Sequence, residues 1–458
     1  MSSNPNEGNL LAFEKMPVLK ALAKFILPAV AGQIAGLILN ITDTFFVGRT
    51  GDTAQISAMT VTFPLIMFMT CVVNIFGIGA NANVAAAIAK RDIKRAKNYS
   101  AFSFYAAMIM IAIISAIILA FETPVITVLG ADAQSSYYCR GYLLWAMHIP
   151  CCVLVGAQVF AQLFMAEGEA KVSGFGVTLC GITNIILDPI FIFGFKLGII
   201  GAGVATCIAD FVMMGYFIFM YVKKRKTAMI SVNPKLFKIK DGIAAGVILT
   251  GFPGGLSILI MNFADILRNH LFAVYGGQLE LAAWGTIIKL AGVFIQLTMG
   301  ICLGVRPLVA YNYSAKNYDR TKKLITSSVV IMIIYSTIAT LISVVAPEPM
   351  IRIFLPVEDA IPVASHYARV WMSCFIGMSV VELLNSIFQA MGKWKVAMAS
   401  VIIDKVFLYV PAMLILSNSL GITGVLMGQP VSENVTVVLL AIVCVMIFRK
   451  ENNEKGPQ

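Results

Sequence analysis

The sequence predicts an all-α membrane protein of twelve transmembrane helices, arranged as two six-helix bundles related by a pseudo-twofold axis along the membrane normal. Three observations carry that expectation. The 458 residues are 59% hydrophobic and only 12% charged, about half the charge of an ordinary soluble chain. The apolar residues fall into twelve long runs. The two halves of the chain repeat one another.

In order, the runs are roughly 22–47, 53–80, 98–121, 137–165, 171–193, 198–222, 242–273, 281–306, 323–346, 364–391, 396–417 and 421–448. Each reaches the ~20 residues that a helix needs to cross a bilayer. Several exceed it, which predicts tilt or kinks. Pro64, Pro150, Pro189, Pro411 and Pro430 lie inside them. Neighbouring helices can satisfy the backbone groups that such breaks free.

Loop charge supports this reading. Of the 34 Lys and Arg, 25 fall on the N-terminal tail, the even-numbered loops and the C-terminal tail, and four on the opposite side. The asymmetry places both termini in the cytoplasm. It also accounts for the net charge of +11 without a nucleic-acid partner. The nine Cys, including Cys151-Cys152, sit mostly in apolar runs and show no metal spacing. They read as small core residues, with no disulfide framework. The opening residues lack the basic start of a signal peptide. The 24 Met and 29 Phe read as membrane-core filler.

A shift of 225 residues aligns the first seventy-odd residues of each half. Pro28 meets Pro253, Gly51 meets Gly276, Ala58 meets Ala283 and Gly79 meets Gly304. Arg95 and Lys97 meet Arg320 and Lys322. Further on, 164–172 meets 388–396, and 197–203 meets 420–426. Six helices per half is an even number, so both halves enter from one side and form a parallel repeat. The expected division is an N-terminal lobe over 1–222, a basic cytoplasmic linker over 223–241 and a C-terminal lobe over 242–458.

Polar residues inside the runs mark the candidate site. Asp43 closes the first run, and an Asp at membrane depth costs roughly 3 kcal/mol on insertion scales. Asn40 precedes it by three residues and shares its face. In the fifth run Asn184 and Asp188 are four apart, hence stacked, and Pro189 can kink the helix beside the acid. The sixth run opens with small residues from Gly198 that permit close approach, then carries Thr206 and Asp210 one turn apart. Asp43, Asn40, Asn184, Asp188, Thr206 and Asp210 supply oxygen ligands from three helices. Hard oxygens suit a proton or a light cation. Asp188, Asn184 and Thr206 are the candidate ligands in the case that the ion is Na⁺ rather than a proton.

The second half carries a different polar set. Asp43 aligns with Arg268, which has Asp265 three residues away and Glu382 on the tenth run as candidate partners. Lys289, Arg306, Asp404 and Lys405 complete the set. Asp404 and Lys405 are sequence neighbours and should point apart on an α-helix. Structural ion pairing is the expected role for most of these.

The whole chain resembles the multidrug and toxic compound extrusion (MATE) family. The motifs are Pro28 followed by Asn40-Ile-Thr-Asp43-Thr-Phe-Phe-Val-Gly; Gly77-Ile-Gly79-Ala-Asn81; Asn184-Ile-Ile-Leu-Asp188-Pro189; Gly201-Ala-Gly-Val-Ala-Thr206; and Gly304-Val-Arg306-Pro307 with Tyr311-Asn312-Tyr313-Ser314-Ala315. Each is weak alone, but five in order across twelve helices are specific. The resemblance implies two six-helix lobes around a central cleft. It implies export of amphipathic organic cations in antiport with Na⁺ or H⁺, from a bacterial cytoplasmic membrane, by alternating access. By resemblance Asp43, Asn184, Asp188 and Thr206 carry the coupling site. The chain departs from the pattern at Asp210, where a neutral polar residue is expected. Asp265 and Glu382 sit off the register of the family's other acid set. A monomer in the lipid bilayer is expected, with small-molecule drugs as partners and no cofactor. The alternative is a lipid-linked oligosaccharide flippase, whose anionic cargo the acids of the first half disfavour. An enzyme is not expected: no HExxH or nucleophile elbow occurs, and His148, His270 and His366 are far apart.

Overall fold

The computed structural model describes residues 5–276, 278–354 and 361–453. Among them every regular element is helical. Ten helices are long and apolar enough to cross a membrane: Val18–Gly48, Ala54–Ala89, Ile93–Ala120, Ala170–Gly194, Ile199–Lys223, Ile243–Phe272, Ala283–Ser314, Tyr318–Val345, Trp394–Leu420 and Ile422–Ile447. Two bent pairs complete the twelve spans. The fourth span is Ala133–His148 with Cys151–Ala166, and the tenth is Ile361–Met372 with Phe375–Ala390. Each apolar run thus has its span.

The helices outrun the apolar runs. The second span continues to Ala89 and the eighth to Ser314. Arg95 and Lys97 sit on the first turns of the third span, and Arg320, Lys322 and Lys323 on those of the ninth, rather than in loops. Bilayer thickness limits the apolar stretch, not the helix. Polar end turns keep their backbone bonds, and their basic side chains reach for water. A further helix, Pro5–Glu14, precedes the first span and was not expected.

Breaks have local causes. Pro150 stands between the two pieces of the fourth span, which bend by 42°. Pro189 ends the α-helical part of the fifth span, and a wide π turn follows over Ile190–Gly194. A proline removes an N–H from the ladder, and the wider turn re-seats the chain. The 43° bend of the tenth span falls at Ser373-Cys374, with no proline.

The repeat is visible in the backbone. Arg91 and Lys316, 225 apart, share a φ of 59° after the second and eighth spans. Gly198 (φ 57°, ψ −136°) and Gly421 (φ 59°, ψ −134°) turn the chain into the sixth and twelfth spans. Only glycine adopts that conformation without strain. A Cβ at Gly198 would also stand 2.2 Å from Gln55 Oε1, which accepts the Ile199 N–H at 2.8 Å.

The described chain divides into two compact units. One comprises the chain up to Leu259 with Leu303–Leu324 and Gln389–Trp394; the other comprises Ile260–Cys302, Ile325–Phe388 and the chain from Lys395. The second has an aromatic core in which Phe272 stacks on Trp284 at 5.2 Å and Trp371 meets Trp284 edge-on. The first unit holds the polar cluster described next.

Candidate functional site

Close helix approach builds the site. On the fifth span, a Cβ at Gly174 would stand 2.2 Å from the Pro28 carbonyl oxygen, and one at Gly181 2.9 Å from that of Ala35. Any side chain there would push the first span away. Further along the same contact, Asp43 meets Asn184 and Asp188. Gly201 of the sixth span lies as close to the Phe191 backbone (2.7 Å for a Cβ), on the helix that carries Thr206 to Asn184.

Asn184 is the hub. Its amide is oriented so that oxygen and nitrogen both find partners. Nδ2 then donates to Asp43 Oδ1 at 3.1 Å and to Asp188 Oδ2 at 3.2 Å, while Oδ1 accepts from Thr206 Oγ1 at 3.1 Å. The Asp43 and Asp188 carboxyls share the Asn184 Nδ2 donor and so lie side by side. Asn184 and Asp188 are wholly buried and Asp43 is 6% exposed. Tyr142 of the fourth span, also buried, stands near both acids. Tyrosine is too common in membrane helices for the sequence to single it out.

Four of the six residues expected in this half therefore form one cluster: Asp43, Asn184, Asp188 and Thr206. Asp210 is buried, but it bonds elsewhere. It accepts from Cys180 Sγ at 3.7 Å, and its Oδ2 has no hydrogen-bond partner among the described residues. The Asn40 side chain lies outside the described residues. Among those residues no three His, Cys, Asp or Glu side chains gather as metal ligands. The cluster offers instead two carboxyls, one amide oxygen and one hydroxyl. That set suits a proton or a hard monovalent cation.

In the second half, Arg268 pairs with Asp265, donates from Nη1 to the Tyr409 hydroxyl at 3.0 Å and lies over the Trp284 ring at 4.4 Å. Glu382 is half-buried on the tenth span, near Glu433. One expectation is corrected. Asp404 and Lys405 do pair, with Nζ 2.6 Å from Asp404 Oδ2 and 2.6 Å from Glu433 Oε1. The segment Ile402–Tyr409 is a π-helix, whose wider turn narrows the angle between adjacent side chains. Glu433 escaped the sequence reading, although Gln429, Ser432 and Glu433 interrupt the twelfth apolar run.

The MatE family model matches the chain twice, over residues 28–190 and 253–415. The second match starts 225 residues after the first, in the register of the repeat. The multidrug export protein MepA of Staphylococcus aureus (strain MSSA476) is 28% identical over 443 residues, 97% of each chain. MepA of Staphylococcus haemolyticus (strain JCSC1435) is 26% identical over 434 residues, 94% of each chain. The Vibrio cholerae MATE transporter VcmN in its bent form superposes with a TM-score of 0.86 at 20% identity, over 95% of this chain and 98% of that one.

Proposed function

The chain belongs to the MatE family, and on that premise we propose that it is a secondary active multidrug exporter, driving amphipathic organic cations out of a bacterial cell in antiport with Na⁺ or H⁺. It works as a multi-pass protein of the cytoplasmic membrane, with both termini inside, as a monomer and without a cofactor. One observation carries this reading: Asn184 joins two buried carboxyls, Asp43 and Asp188, at membrane depth.

Two carboxylates in contact repel, and more strongly where water is scarce. A cation between them, either H⁺ or Na⁺, relieves that repulsion. Thr206 and the Asn184 oxygen complete an oxygen set for Na⁺; a proton needs only the acids. Binding of the ion from outside draws the first, fifth and sixth spans together. Its release inside leaves a negative site that favours a cationic drug. Exchange of charge also uses the membrane potential, about 2.3 kcal/mol per charge per 100 mV. An anionic lipid-linked cargo finds no complement in these acids.

The test is ethidium efflux from proteoliposomes, driven in turn by a Na⁺ gradient and a pH gradient. Asp43→Asn and Asp188→Asn should each abolish ion-driven efflux while the protein still inserts. Near-normal efflux by either variant at wild-type density would overturn the assignment.

A further inference from the structure

Two more buried acids occupy equivalent places in the repeat. Asp210 lies twelve residues beyond Gly198, and Glu433 twelve beyond Gly421. Those glycines share one unusual backbone conformation at the start of the sixth and twelfth spans. The helix from each glycine to its acid is unbroken. Asp210 is 2% exposed and Glu433 is fully buried.

The two acids bond alike. Each receives one contact from the preceding span: Cys180 Sγ to Asp210 Oδ1 at 3.7 Å, and Lys405 Nζ to Glu433 Oε1 at 2.6 Å. Each leaves its other oxygen, Asp210 Oδ2 or Glu433 Oε2, buried with no hydrogen-bond partner among the described residues. An ionised carboxylate with a buried oxygen that no protein donor reaches is among the costliest groups to keep inside a membrane.

The charges around them lead to the same result. Among the described residues Asp210 faces the Cys180 thiol and no base. Glu433 faces Lys405, but Lys405 also pairs with Asp404 at 2.6 Å. Asp404 accepts in addition from the Ser432 and Thr436 hydroxyls, so it is the better satisfied of the two acids. Glu382 adds a further negative group near Glu433. Asp265 pairs with Arg268 beside them and brings no net charge. With all acids ionised, the Asp210 site and the Asp404–Lys405–Glu433 triad each carry one uncompensated negative charge.

We propose that Asp210 and Glu433 are a repeat-related pair of proton-holding sites, one in each half, each taking a single exchangeable proton on its unpartnered oxygen. The ligand is a proton rather than a metal ion. Lys405 already fills the space between the second pair of acids, and Asp210 has no second carboxyl beside it. These sites are separate from the Asp43–Asn184–Asp188 cluster, so they stand whether that cluster carries H⁺ or Na⁺.

The experiment is infrared difference spectroscopy on the purified full-length protein, following the protonated-carboxyl band and its shift in D₂O. The background carries Asp43→Asn, Asp188→Asn and Glu167→Gln, which silence the buried acids outside the two proposed sites. A deuterium-sensitive band is expected to remain. Asp210→Asn should remove one component and Glu433→Gln the other. Two further variants keep the acid and remove its need for a proton. Cys180→Lys should erase the Asp210 component, and Asp404→Asn, by leaving a neutral Lys405–Glu433 pair, should erase the Glu433 component. These also decide the matter if removing the acid itself prevents folding. A background with no such band, or a band indifferent to all four substitutions, would overturn the proposal.

Discussion

Arg268 donates from Nη1 to the Tyr409 hydroxyl at 3.0 Å, joining the seventh and eleventh spans. Asp43 and Asn184 join the first and fifth spans in the same manner, at 3.1 Å. Arg268 stands 225 residues after Asp43, at its repeat position. The two halves thus keep one interhelical contact and invert its charge. An arginine repels a coupling cation, which supports placing coupling in the first half. Arg268→Met should leave Asp265 without its base. Breaking a buried pair costs roughly 3–5 kcal/mol, and the 43% exposure of the Asp265 side chain puts this case at or below the lower end. Replacing Arg268 with Met and Asp265 with Leu together should restore much of the thermal stability, with ion-coupled efflux intact. Loss of coupling in that well-expressed double variant would bring the second half into ion binding.

Asn184 and Thr206 supply neutral oxygens, which a Na⁺ site uses and a proton site does not. Thr206→Ala and Asn184→Ala should each raise the Na⁺ concentration needed for half-maximal efflux, by roughly tenfold for the loss of an interaction worth about 1.4 kcal/mol. Asn184→Ala should act more strongly, since it also releases both acids. Wild-type efflux that ignores Na⁺ would assign the coupling to protons.

Twelve spans were legible because lipid-facing surface must be apolar, and a run such as 98–121 has no other use. Asp43, Asn184 and Asp188 were legible for the converse reason: a polar group in such a run is costly and needs a partner. The ends of the second and eighth spans were not. Past Gly79 and Arg306 the chain stays helical while its hydropathy signal fades. The Asp404–Lys405 pair was not legible either, because α-helical angles place neighbours apart and only the π segment brings these two together. Tyr142 was silent because nothing in its neighbours distinguishes it from packing.

The helix Pro5–Glu14 is clasped by the ends of the eighth and ninth spans. Arg320 donates from Nε to the Phe13 carbonyl at 2.7 Å and from Nη2 to that of Met16 at 2.7 Å. Asn312 Nδ2 also donates to the Phe13 carbonyl, at 3.1 Å, and the Tyr311 hydroxyl donates to Glu14 at 2.6 Å. The Phe13 ring stacks on Tyr311 at 4.6 Å. These are the terminal carbonyls that a helix cannot satisfy itself. Arg320→Ala should strand the Met16 carbonyl and leave that of Phe13 to Asn312 alone, at a local cost of roughly 1–3 kcal/mol. Faster hydrogen exchange is expected in residues 10–16, with little change in the spans. Unaltered exchange there would mean that the ring stack alone holds the helix.

Glu167 follows the fourth span and is only 3% exposed. Its Oε2 accepts the Met229 N–H at 3.0 Å, which ties the chain after the sixth span to the end of the fourth. Burial pushes its pKa from 4.5 up to about 8, against the Met229 hydrogen bond, which favours the charged form. A raised carboxyl pKa means that the folded state holds its proton where the unfolded state has lost it. Stability from this group is therefore full below the ordinary carboxylate range. It declines as pH rises toward 8 and changes no further above that. A shift of this size corresponds to at most about 4–5 kcal/mol, and water reaching the loop in local openings reduces it. Glu167→Gln keeps an oxygen for Met229 and cannot ionise. Thermal stability of the wild type should fall between pH 5 and 8, and the variant's curve should be flatter and higher at pH 8. Parallel curves would show that Glu167 is already ionised in the fold, held by its backbone donors.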